Sequence, residues 1–122
     1  MPYIAPRLIT ETEAAVIEAV MERAAVVSSL KVEPDQIRQL IVHSTCPCGC
    51  PSIGFLSEEE QSPGDVTLVA DGMVPLPDDH YIGVLVYASK SRGLVELEVH
   101  WSYGAPAPMP LPSKIGPCPS NN

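Results

Sequence analysis

The chain has 122 residues, with 45% hydrophobic and 18% charged residues and a net charge of −8. That is one domain of globular composition, neither disordered nor long enough for several cores. Fifteen acids against seven basic residues exclude a preformed nucleic-acid surface, which needs a Lys/Arg patch, and disfavour anionic lipid.

The charge is uneven. Between Glu58 and Asp79 stand Glu58, Glu59, Glu60, Asp65, Asp71, Asp78 and Asp79, with no Lys or Arg. This window suggests either solvated loops, or an acidic face for a protein partner with a basic surface, or a nucleic-acid mimic. Glu58, Glu59, Glu60, Asp65, Asp78 and Asp79 are the candidate partner-binding residues. No apolar run approaches roughly 18 residues, so no membrane span is expected. The start, Met1-Pro-Tyr-Ile-Ala-Pro-Arg7, lacks the layout of a signal peptide. A cytoplasmic location with reduced thiols follows as an expectation.

Thr10-Glu11-Thr12-Glu13 is a capping-box pattern. Ala14, Ile17, Val20, Met21, Ala24 and Val27 then recur at helical spacing. The spacing predicts a helix from about Glu11 to Ser28. Pro34 at a first helical position predicts a short second helix, about Pro34 to Leu40.

From Ile41 the period changes to two. Ile41–Thr45, Ser52–Leu56 and Val66–Ala70 read as strands, and Asp71-Gly72 as the start of a turn. Tyr81–Ala88 is apolar on both faces, as in a central strand. Leu94–Tyr103 alternates, with Val95, Leu97, Val99 and Trp101 opposite Glu96, Glu98, His100 and Ser102. These two strands predict a hairpin. The whole reads as an α+β fold: two N-terminal helices, then a four- to five-stranded, mostly antiparallel sheet. Residues 1–103 form the domain. Residues 104–122 hold six prolines and read as an extended tail, either strapped over the domain by Met109, Leu111 and Ile115, or binding a partner, or disordered.

Cys46, Cys48 and Cys50 alternate with Pro47 and Gly49. Thiolates ligate Zn²⁺, Cu(I) or iron. In an extended strand the three sulfurs would spread over about 13 Å, beyond one ion, so a metal requires a turn. Pro47 in its second position and Gly49 in its fourth suit one. His43, His100 and Cys118 are candidate fourth ligands, with His43 the nearest in sequence. Small buried cysteines, a disulfide (Cys46–Cys50 being less strained than a nearest-neighbour pair) and a Cys–His nucleophile remain alternatives. There is no GxGxxG, P-loop, G-x-S-x-G or H-E-x-x-H motif.

The order of parts resembles a group of small proteins of actinobacteria and their phages. It is carried by Cys46-Pro-Cys48-Gly49-Cys50-Pro51-Ser52, Gly83-Val-Leu85-Val-Tyr87, Leu94-Val-Glu96-Leu-Glu98-Val99, Trp101-Ser102-Tyr103 and Pro110-Leu111-Pro112. It spans about Val42 to Pro112. The resemblance implies a bacterial or phage origin and carries over no catalytic residue. Two functions are expected from the whole. One is a small acidic, non-enzymatic interaction protein of immunity, antitoxin-like or anti-defence type, without cofactor and open to homodimerisation. The other is a thiol or metal protein, with zinc on Cys46, Cys48, Cys50 and His43.

Overall fold

The computed structural model describes residues 1–27, 32–60, 64–102 and 108–119. In chain order the elements are β1 (Tyr3–Leu8), α1 (Glu11–Arg23), α2 (Pro34–Arg38), β2 (Ile41–Thr45), β3 (Ile53–Gly54), β4 (Thr67–Pro75), β5 (Tyr81–Ser89), β6 (Gly93–Trp101) and β7 (Gly116–Pro117). The strands form one sheet in the order β1-β2-β3-β6-β5-β4-β7, every neighbouring pair antiparallel. The fold is α+β. Among the described residues no helix is long and apolar enough to cross a membrane.

α1 starts where its capping box predicts. The Glu13 amide donates to Thr10 Oγ1 at 3.1 Å, and the Thr10 amide donates to Glu13 Oε1 at 2.9 Å. Arg7 of β1 adds two bonds to the same carboxylate, at 2.9 and 2.8 Å. Glu13 thus satisfies a helix end and an arginine together. Arg38 of α2 reaches back to Glu11 at 2.9 and 2.7 Å and also pairs with Glu18.

α1 buries Ala14, Val16, Ile17, Ala19 and Val20 against the face of the sheet that carries Val84, Val86, Leu97 and Val99. That burial removes the apolar stripe of α1 from water. The other face carries Leu85, Tyr87, Glu96, Glu98 and His100. The alternation of β6 is therefore real, and β5 and β6 form the expected hairpin.

Seven strands among the described residues replace the expected four to five. β1 and β7 are the additions, and each lies along an edge laid down by a segment distant in sequence. The helix ends at Arg23, short of the expected Ser28, which lies outside the described residues. Its continuation leaves the helix to line β4: Val26 N–H donates to Val69 O at 2.9 Å, and Asp71 N–H to Ala24 O at 3.0 Å. α2 stops at Arg38 rather than Leu40. The strand expected over Ser52–Leu56 is reduced to Ile53–Gly54. Tyr103, the expected end of the last strand, and Pro106 of the tail lie outside the described residues.

Asp71-Gly72 is no turn; both residues sit inside β4. The glycine serves a close approach instead. A Cβ on Gly72 would stand 3.0 Å from Ile115 Cγ2 and 3.1 Å from Gly116 O. The tail docks there. Ile115 is 3% exposed, Gly116 and Pro117 pair with Met73 and Gly72, and Arg23 donates to Pro112 O at 2.7 Å and Ile115 O at 3.2 Å.

Candidate metal centre

β2 and β3 are joined by the segment 46–52. Its frame is closed by Cys46 N–H to Ser52 O (3.3 Å) and its tip by Gly49 N–H to Cys46 O (3.4 Å). Pro47 and Gly49 occupy the expected turn positions. Gly49 has φ +93° with open space around it, so glycine is needed there for backbone conformation, not for room.

The turn brings the three sulfurs of Cys46, Cys48 and Cys50 within 4.8 Å of one another. Among the described residues, this is the group of side chains placed to share one metal ion. The shortest approach is Cys46 Sγ to Cys48 Sγ at 2.9 Å, rather than between Cys46 and Cys50, the pair that backbone spacing favoured. Cys48 is exposed and Cys46 and Cys50 are half-buried. The Cys50 amide donates to Cys48 Sγ at 3.4 Å.

Ser52 holds the inner side of the turn, and nothing in sequence spacing singled it out. It is 5% exposed. Val99 N–H donates to its Oγ at 2.8 Å, its hydroxyl donates to Val99 O at 3.2 Å, and Cys50 Sγ lies 3.3 Å away. Burial pushes the Cys50 thiol up. The Ser52 hydroxyl, Cys46 and the Ser52 amide outweigh it and bring Cys50 down to about 7. Cys46 moves the other way, to about 11, chiefly through its thiol bond to Cys48 and then that to Cys50.

The other sequence candidates fall elsewhere. His43 lies on β2, outside the sulfur group; its charge helps hold Glu60 below the ordinary carboxylate range, after the larger effect of the Ser57 amide. Cys118 is on the β7 flank, four strand positions from β3 and so roughly 19 Å away across the sheet. Its thiol donates to Asp71 at 3.3 Å, and burial and then Asp71 push it up.

His100 belongs to a shallow cleft of about 580 Å³ on the face opposite α1, shared with Asp71, Asp79, His80, Tyr81 and Cys118. Its ring meets Tyr81 edge-on, centroids 5.7 Å apart, and lies over Gly83, where a Cβ would overlap it. A glycine inside an apolar strand is the sequence signal for such an approach. Glu98 accepts from the Tyr87 hydroxyl at 3.2 Å. Glu96 beside it is raised by burial and then by Glu98.

The acidic window is not one surface. Glu60 accepts from Arg92 at 3.1 Å, and Asp65 from the Lys90 amide at 2.8 Å. Both sit at the β5–β6 turn, and Glu58 and Glu59 stand exposed next to Glu60 in the chain. Asp78 and Asp79 occupy the β4–β5 turn, with φ of 61° and 62°. The nine-residue length of β5, about 26 Å, separates the two groups.

Set against protein-family models, curated proteins and solved structures, the chain matches none.

Proposed function

We propose that this chain is a metal-binding thiol protein that takes up one zinc ion on Cys46, Cys48 and Cys50. The convergence of the three sulfurs within 4.8 Å carries the reading. Zinc–thiolate bonds of about 2.3 Å place sulfurs about 3.8 Å apart in a tetrahedral site, so small side-chain rotations of these three suffice. The lowered Cys50 thiol supplies one thiolate near neutral pH, and thiolate is the ligating form.

The reading assigns the chain to the reducing cytoplasm, where exposed Cys48 stays a thiol. A fourth donor comes from solvent or from a partner. We prefer this reading to the acidic interaction module because β5 splits the acids of that module into two groups, one of which already engages the Lys90 backbone amide and the Arg92 side chain.

The test is native mass spectrometry of the full chain after zinc loading and removal of excess ion. The expected result is one zinc per chain, lost in Cys48→Ser and kept in Cys118→Ser. Zinc retained by Cys48→Ser, or never retained by the unaltered chain, overturns the reading.

A further inference from the structure

Cys46 and Cys48 hold their sulfurs 2.9 Å apart across a single proline, with Cys48 exposed. A disulfide measures about 2.05 Å between sulfurs, so less than about 1 Å of approach separates this pair from a covalent bond. Cys50 is half-buried against Ser52, 3.3 Å from its hydroxyl.

We propose that Cys46 and Cys48 form an exchangeable dithiol whose co-reactants are low-molecular-weight disulfides, and that closure of the pair releases the metal from the turn. The second half rests on the zinc reading above.

The exchange runs in two displacements. Cys48 thiolate attacks one sulfur of the small disulfide, forming a mixed disulfide and expelling one small thiolate. Cys46, its proton passed to water, then attacks the Cys48 sulfur, forming the Cys46–Cys48 bond and expelling the second small thiolate. Two electrons pass from the protein pair to the small disulfide. Two protons leave the protein and end on the two small thiols. Two of three metal donors are thereby consumed, and Cys50 alone keeps a thiol in the turn. An excess of small thiol reverses both steps.

The experiment treats the metal-free full chain with oxidised glutathione, quenches with acid and digests with trypsin. Cleavage after Arg38 and Lys90 places Cys46, Cys48 and Cys50 in one fragment, and cleavage after Lys114 places Cys118 in another. The expected fragment 39–90 has lost two hydrogen masses, holds no glutathione and keeps one alkylatable thiol, at Cys50. Cys50→Ser closes its disulfide as the unaltered chain does; Cys48→Ser does not. Retained glutathione, a free thiol at Cys46 or Cys48 in place of Cys50, or a bond to Cys118 overturns the dithiol.

A zinc-loaded sample, followed with a chromogenic zinc indicator, reads the second half. One zinc is expected to be released for each disulfide formed, and zinc kept through full oxidation overturns the release. If the chain takes up no zinc at all, the metal reading and its release fail together. The masses of the metal-free chain then still decide the dithiol by themselves.

Discussion

The hydroxyl of Ser52 stands in for a strand beside Val99. It accepts from the Val99 amide at 2.8 Å and donates to the Val99 carbonyl at 3.2 Å. β3 spans only Ile53 and Gly54, so β6 gains through this side chain the two bonds that a longer β3 would have made with its backbone. Both Val99 and Ser52 are buried, and water cannot replace the serine. Ser52→Ala is therefore expected to lower stability by about 1–3 kcal/mol, the cost of stranding buried polar groups. Urea unfolding measures it. An unchanged midpoint would show that the two backbone groups find other partners.

The same serine lowers the Cys50 thiol. In the metal-free chain, alkylation of Cys50 by iodoacetamide should rise through about pH 7, while Cys46 should not reach its half-maximal rate until about pH 11. Ser52→Ala should move the Cys50 profile upward, toward the ordinary thiol value of 9.0. Peptide mass mapping over a pH series separates the cysteines. Equal rates at Cys46 and Cys50 across that range would contradict the arrangement.

Gly83 and His100 are coupled. A Cβ on Gly83 would stand 2.7 Å from His100 Cδ2 and 2.8 Å from Cε1. Gly83→Ala must therefore swing the ring away from Tyr81, losing an aromatic contact of about 0.5–1.5 kcal/mol. In a His100→Ala background the clash is gone, and the same change should stabilise by about 0.5–1 kcal/mol through reduced backbone freedom. A double-mutant cycle reads the coupling. Additive effects would mean that the ring does not rest on Gly83.

Glu13 links stability to pH. Burial raises its carboxyl, but the two Arg7 bonds and the Thr10 cap outweigh that and hold it below the ordinary 4.5. A carboxylate depressed in the folded state contributes fully above pH 4.5, and its contribution is lost as pH falls through the folded value. Glu13→Gln should cost roughly 1–2 kcal/mol at pH 7. It should also flatten the loss of stability below pH 4.5. Thermal unfolding between pH 3 and 7 checks both, and parallel curves for the two proteins would remove Glu13 from the acid response.

What the amino-acid sequence determined by itself is what short-range contacts decide. The Thr10–Glu13 capping box closes over three residues. The alternation of β6 and the Pro47–Gly49 turn likewise act between near neighbours, and the turn suffices to gather three sulfurs. These features were legible because their partners lie within a few positions along the chain.

The tertiary structure decided the rest, because there each partner comes from a distant segment. β1 pairs with β2 across two helices, and β7 finds its edge only because Gly72 leaves room for Ile115 and Gly116. Gly72 thus looked like a turn in sequence and is a docking point in space. Ser52 carried no local signal, since its role depends on Val99, 47 residues away. The acids from Glu58 to Asp79 looked continuous in sequence. β4 and β5 carry the first and the last of them to opposite ends of the hairpin, so the proposed function rests on the cysteine turn and not on that charge.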